Sequence, residues 1–231
     1  MKTIGLIGGT SWESTVEYYR IINEGVRQRL GEHSSAVIFM YSFNFAPIAA
    51  HSAKNEWNEI ERMMVWAGHK LEKAGADFLV LCANTMHKIV PAMEQEIGIP
   101  ILHIADATAQ KILERGMKKL GLIGTRFTME GDFYRPRLKE KFDIDTIIPE
   151  KDDRDMIHDI IYHELATGIA GEASRKQFLK VIGKLSEQGA EGVILGCTEI
   201  PLIVSQEDTP VPLFNTTAIH AEAAVNMAID I

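Results

Sequence analysis

Short apolar runs of strand length alternate along this chain with longer segments whose apolar residues return every three or four positions. The runs Ile4–Gly8, Ala36–Tyr41, Phe78–Leu81, Ile99–Ile104, Lys119–Gly124, Asp145–Ile148, Gly192–Leu195 and Val211–Phe214 read as strands. Between them, Thr15–Arg29, Trp57–Ala74, Ala107–Glu114, Phe133–Lys141, Asp153–Thr167 and Glu172–Glu187 read as amphipathic helices, and a last helix starts near Thr217. Ser14-Thr15-Val16-Glu17 has the spacing of a capping box at the first helix. Such alternation predicts an α/β fold with parallel sheets covered by helices on both faces.

The pattern also repeats. Ile4-Gly5-Leu6-Ile7-Gly8-Gly9-Thr10 returns as Leu120-Gly121-Leu122-Ile123-Gly124-Thr125. Gly75-Ala76-Asp77 and a strand running into Cys82-Ala83-Asn84-Thr85 return as Gly189-Ala190-Glu191 and a strand running into Cys197-Thr198-Glu199. Ile99-Pro100-Ile101-Leu102 returns as Val211-Pro212-Leu213-Phe214, so the three matches keep one order in both halves. Two Rossmann-like lobes related by a pseudo-twofold are the expected architecture, with the active site in the cleft between them. Their expected ranges are 1–102 plus 213–231, and 103–212.

Composition narrows the class without naming it. With 231 residues, 46% of them hydrophobic and 24% charged, the chain has enough apolar material for an ordinary globular core. A formal charge of −8 argues against a nucleic-acid partner, whose phosphates need clustered Lys and Arg. The start Met1-Lys2-Thr3-Ile4-Gly5 reads as a strand rather than a secretory leader, and no apolar run approaches the roughly 18 residues of a membrane span. Only Cys82 and Cys197 are present, which disfavours a disulfide framework or a thiolate zinc site and makes a reduced cytoplasm the expected location. Neither half shows His or carboxylates at ligand spacing, so no metal is expected.

In open parallel sheets, ligands bind beyond the carboxyl ends of the strands. The turns there are Gly8-Gly9-Thr10-Ser11, Ala83-Asn84-Thr85, Gly124-Thr125 and Cys197-Thr198-Glu199. They are rich in small hydroxyl and amide residues and lead toward helix N-termini, where free N–H groups favour a carboxylate. Helix capping alone accounts for any single Thr among them; four at repeat-matched positions point to a site. The G-x-G-x-x-G spacing of a dinucleotide fold and the Lys of a P-loop are both missing. Cys197, at a strand end, is the candidate acid/base, with a thiolate expected to gain from the following helix N-terminus. Glu199 is placed to manage its proton, and His87 and His220 are possible helpers. No anchoring pattern for a Schiff-base cofactor stands out.

Several longer runs carry a resemblance. Gly8-Gly9-Thr10-Ser11-Trp12-Glu13-Ser14-Thr15, Asn84-Thr85-Met86-His87-Lys88, Gly124-Thr125-Arg126-Phe127-Thr128-Met129-Glu130, Gly196-Cys197-Thr198-Glu199-Ile200-Pro201 and Thr216-Thr217-Ala218-Ile219-His220-Ala221 resemble the aspartate/glutamate racemase family of PLP-independent racemases. The resemblance implies a cofactor-independent isomerase acting on a small amino acid, and a homodimer. It implies two thiols on opposite faces of the substrate, one removing the α-proton and the other returning one, with Cys197 as catalytic residue. The implied substrate-binding set is Thr10, Ser11, Ser52, Ala83, Asn84, Thr85, Thr125, Glu164, Thr198 and Glu199.

Two departures qualify this. Counted from Gly75, the place matching Cys197 is Ala83, and Cys82 stands one residue early, so a strand turns it to the opposite face. Ala cannot transfer a proton. Residues where aspartate-specific relatives carry basic groups are Asn44, Phe45, Ser52 and Glu164 here, leaving Arg126 and Lys88 as the cations nearby, and Asn215 stands where the family commonly has Asp. The expected activity is amino-acid racemisation of the aspartate/glutamate type, with Thr85, a water or a displaced Cys82 as second donor. The alternative is one-sided proton transfer, such as decarboxylation of a substituted malonate, by Cys197 alone. A binding protein that has lost turnover is the third reading.

Overall fold

A computed structural model of the chain describes residues 1–169 and 171–229. Residues 170, 230 and 231, which the expected lobe ranges include, lie outside the described residues. The chain divides into two compact units, Met1–His103 with His220–Ile231, and Ile104–Ile219.

The first unit runs β1 (Ile4–Gly8), α1 (Trp12–Leu30), β2 (Ile38–Ser42), α2 (Phe45–Ala53), α3 (Trp57–Ala74), β3 (Phe78–Leu81), α4 (Val90–Glu96) and β4 (Ile101–Leu102). Continuing through the second unit are α5 (Ile104–Glu114), β5 (Lys119–Gly124), α6 (Arg126–Glu130), α7 (Arg135–Phe142), β6 (Asp145–Ile147), α8 (Lys151–His163), α9 (Glu172–Glu187), β7 (Gly192–Gly196), β8 (Leu213–Asn215) and the start of α10 (Thr216–Ile229). Each unit holds a four-stranded, all-parallel sheet, in the orders β2-β1-β3-β4 and β6-β5-β7-β8. Matching each strand with its repeat partner turns one order into the other, so the sequence repeat is a repeat of topology.

Strand alternation sorts the cores. Ile4 and Leu6 of β1, with Phe78 and Val80 of β3, pack against Tyr18, Ile22 and Val26 of α1 and against Ala221, Ala224, Val225 and Ala228 of α10. Ile7, Leu79 and Leu81 face the other way, onto Ile48, Ile60, Met64 and Leu71 from α2 and α3. In the second unit, Leu120, Leu122 and Ile194 meet α5 and α7, whereas Ile123, Val193 and Leu195 meet α8 and α9. The central strands of both sheets are thus buried on both faces, which is why they read as nearly continuous apolar runs. Each such Leu or Ile withdrawn from water contributes about 1.5–3 kcal/mol.

The chain differs from expectation at several joints. β8 pairs with β7, Leu195 opposite Asn215, so residues 213–219 belong to the second unit and only the stretch from His220 returns to the first. The first division falls after His103 rather than after residue 102. Helix α1 starts three residues before the Ser14 box: its N-cap is Ser11, which accepts from the Ser14 N–H at 3.4 Å. Helix α8 stops at His163, and a single 3-10 turn at Leu165–Thr167 ends on Gly168 with φ of 77°. The short helices α2, α4 and α6 were not legible as helices. Among the described residues, no helix is long and apolar enough to cross a membrane.

Candidate active site

In each sheet the order reverses direction at one point, between β1 and β3 and between β5 and β7. Helical connections diverge there to opposite faces, leaving a crevice at the carboxyl edge. The four turns singled out in the sequence follow those four strands.

In the first unit the turn after β1 is shaped by two glycines. A Cβ on Gly8 would lie 2.4 Å from Thr15 Cγ2, and one on Gly9 would lie 2.2 Å from the Phe43 carbonyl oxygen. Gly9 also has φ of 79°, a conformation that costs any other residue strain. The Gly9 N–H donates to Thr15 Oγ1 at 2.9 Å, and the Thr15 hydroxyl donates to the Ser11 carbonyl at 2.9 Å. Ser11 is spent on the helix cap and on Glu13, to which its hydroxyl donates at 3.0 Å. The hydroxyl oxygen of Thr10, by contrast, is buried with no hydrogen-bond partner. Buried polar atoms are normally satisfied, so an orphan at a strand end is a place for a ligand or water to bond.

Beyond β3, Cys82 and Ala83 point to opposite faces. Cys82 is fully buried among Tyr18, Ile22, Phe78 and Ala221, and burial pushes its thiol far above the ordinary range. Ala83 packs instead on the α2/α3 side. Asn84 is buried and Thr85 half-buried, and they lead into a one-turn 3-10 helix, Thr85–Ile89. The turn is held from behind by His87, whose Nδ1–H donates to the Ala83 carbonyl at 2.8 Å. His220 Nε2–H donates to the Leu102 carbonyl at 2.9 Å and, being neutral, accepts at Nδ1 from the Tyr18 hydroxyl at 2.8 Å. Burial lowers its pKa to about 3, so it is a structural tie between α10, β4 and α1. Ser52 is buried on α2.

In the second unit β5 and β7 end in Gly124 and Gly196, side by side. A Cβ on Gly124 would lie 2.7 Å from the Gly196 carbonyl, so the strand ends approach as only glycines allow. Thr125 caps α6, accepting from the Thr128 N–H at 3.3 Å. Cys197 is 7% exposed, and its S–H donates to Glu199 Oε2 at 2.9 Å; the Thr198 hydroxyl donates to the same oxygen at 2.8 Å. The expected lowering of the thiol pKa does not occur. Only a one-turn 3-10 helix, Ile200–Leu202, follows, so there is little dipole to stabilise a thiolate. Burial, then the charge and hydrogen bond of Glu199, raise the pKa well above that of a free thiol, while the Glu199 and Thr198 N–H groups act weakly in the other direction.

The remaining polar residues of this unit sort by partner. Glu164 accepts a hydrogen bond from Ser174, in the first turn of α9. Because α9 runs down to the start of β7, that turn lies at the same carboxyl edge as Cys197. Arg126 pairs with Asp155 at 2.9 Å, and its N–H donates to His158 Nδ1 at 3.2 Å. Thr217, in the first turn of α10 beside the end of β7, has a buried hydroxyl oxygen without a partner. It stands inside one of the quoted runs yet was not singled out for the site; its signal is burial, which sequence does not display.

The sequence model of the Asp/Glu/hydantoin racemase family matches residues 7–224. The chain belongs to that family. It is therefore an isomerase of the racemase type. A candidate Asp/Glu racemase from Yersinia pestis is 50% identical, covering 99% of this chain and 100% of its own, with a TM-score of 0.93. An aspartate racemase homologue from Pyrococcus horikoshii is 34% identical over 99% of this chain and 100% of its own, with a TM-score of 0.86. The broad-specificity amino-acid racemase of Bacillus subtilis (strain 168) is 22% identical over 73% of this chain and 72% of its own length. Within this racemase, the two cations that sequence left for a second substrate carboxylate are engaged: Arg126 with Asp155, and Lys88 with the Trp57 ring, 4.4 Å from its centroid.

Proposed function

We propose that this racemase moves the α-proton of an amino acid without a cofactor, with Cys197 as the acid/base of one face. The observation that carries the reading is the Cys197–Glu199 contact of 2.9 Å, a thiol and a carboxylate sharing one proton's path at a strand end. At rest the proton sits on sulfur, ready for delivery to a carbanion-like intermediate. In the reverse sense, Glu199 accepts the S–H proton, the Thr198 and Glu199 N–H groups steady the thiolate, and sulfur takes the α-proton. Thr217, in the same unit as Cys197, supplies a donor for the substrate carboxylate, whose negative charge grows as the α-proton leaves. Membership of the family supports aspartate or glutamate as substrate, and the engagement of Arg126 and Lys88 makes neutral amino acids equally necessary in any panel.

One observation favours a second reading. Cys82 lies in the core behind β3, and Ala83 has no proton to give. A chain with one competent base performs one-sided proton transfer, as in decarboxylation of a substituted malonate. The deciding experiment is solvent deuterium incorporation at Cα, run separately on the L and D forms of aspartate, glutamate and neutral amino acids. Exchange with loss of chirality is expected of racemisation. Exchange that retains configuration, or occurs from one enantiomer only, transfers support to the one-sided reaction, and no exchange from any of them refutes racemisation.

A further inference from the structure

The chain has eight histidines, and the three that are buried, His87, His103 and His220, pack against one another in the first unit. Their rings meet edge to face, with the His87 centroid 4.7 Å from that of His103 and 5.5 Å from that of His220. Two of them stand where the chain leaves and re-enters this unit: it passes to the second unit after His103 and comes back at His220. The other, His87, lies in the 3-10 turn that follows Asn84. Buried imidazoles cost free energy unless their nitrogens are satisfied, and Phe or Leu would fill the same space without that demand. The nitrogens are used at the carboxyl edge of the sheet. His87 Nδ1–H donates to the Ala83 carbonyl, just beyond β3, at 2.8 Å, and His220 Nε2–H donates to the Leu102 carbonyl, at the end of β4, at 2.9 Å. Because Leu102 is joined to His103, the second bond links one crossing to the other. Tyr18 of α1 completes the series, its hydroxyl donating to His220 Nδ1 at 2.8 Å.

We infer that His87 is a positioning residue of this racemase, held in place by His103 and His220 at the two crossings. The Ala83–Asn84 peptide is trans and planar, so fixing its carbonyl also fixes the direction of the Asn84 N–H on the other side. The placement of Asn84 and Thr85 follows from that peptide. A neutral imidazole has one N–H, and that of His87 is committed to Ala83, so the ring acts on substrate through the turn and not by proton transfer. The inference rests on the reading of Asn84 and Thr85 as substrate contacts.

Two substitutions separate the hydrogen bond from the ring. Asn carries an amide nitrogen where the imidazole has Nδ1, so His87→Asn keeps a donor for the Ala83 carbonyl; His87→Leu has the same branching and no donor. In Cα deuterium exchange, His87→Leu is expected to raise KM about tenfold with kcat within about threefold of native, and His87→Asn to lie closer to native. Without substrate, the backbone amides of residues 83–89 are expected to exchange with solvent about tenfold faster in His87→Leu, and less so in His87→Asn. They are also expected to quicken in His103→Leu, which removes a ring at the first crossing. A loss of kcat with KM unchanged makes His87 a proton-transfer group and overturns the inference. So do equal values for the Asn and Leu variants, or amides at 83–89 that keep the native rate in both Leu variants. If the variants do not fold, long-range proton–nitrogen correlation NMR of the native chain decides. His87 protonated at Nδ1 and His220 at Nε2 are expected, and the other tautomer at His87 overturns the inference. A native chain that exchanges no Cα proton refutes the reading of the reaction alone, because the amide rates and the tautomers still decide whether His87 holds the turn.

Discussion

At Cys197 the environment holds a proton on sulfur, because burial and the neighbouring carboxylate both work against a thiolate. Replacing Glu199 by Gln removes the charge and leaves the burial. The pH midpoint of Cys197 alkylation is therefore expected to move down in Glu199→Gln while staying above that of a free thiol, and Cα exchange is expected to fall by about 10²- to 10⁴-fold as the proton loses its acceptor. Following the alkylation rate against pH, alongside deuterium exchange, checks both; a midpoint that moves upward would show that Glu199 is not ionised beside the sulfur. Sequence made part of this visible. The period-two rule separated Cys82 from Ala83, and the structure puts them on opposite faces of β3. The direction of the Cys197 shift was not legible, since it depends on burial and on a helix too short to carry a dipole. Thr10 and Thr217 illustrate the same limit: one is polar and was singled out, the other is equally polar and was not, and an unmet hydroxyl distinguishes both.

Among elements, the turn between β1 and α1 carries the tightest constraints. Gly9 combines a positive φ with a backbone neighbour 2.2 Å from where a Cβ would stand. Gly9→Ala is expected to destabilise the protein by at least about 1 kcal/mol and to weaken substrate binding by displacing Thr10. Urea denaturation and exchange kinetics measure the two effects, and wild-type values in both would mean that the turn relaxes freely. The central strands β1, β3, β5 and β7 were legible because burial on both faces makes each a nearly continuous apolar run. Helices α2, α4 and α6 were not, for they span only nine, seven and five residues and the first two contain Pro47 and Pro91 near their starts. Two turns give too little periodicity to tell a helix from a loop. The misplaced start of α1 has a different cause. Ser11 and Ser14 are both good caps, and the choice falls to the one that the Gly8-Gly9 turn brings into an extended conformation.

For the molecule as a whole, repetition of the three matched segments announced two sheets of one topology, and the strand orders agree. Where the chain crosses between units was less legible, because Leu213–Asn215 could equally have extended either sheet by pattern alone; pairing with β7 decides it. Ala221, Ala224, Val225 and Ala228 then complete a core whose other members lie before residue 83. A chain ended after Ile219 is expected to leave Cys82 open to thiol reagents that do not reach it in the full chain, as mass spectrometry of the labelled peptides would show. Cys82 protected equally in both would mean that the first unit closes without its last helix. The same discontinuity bears on synthesis. A ribosome adding about 5–20 residues per second takes roughly 6 to 23 seconds to make residues 104–219, and throughout that time the sheet face that α1 and α10 share is covered by α1 alone. The second unit, being contiguous, is free to complete its core as soon as it is made, whereas the first unit, although begun earlier, completes its own only when α10 follows.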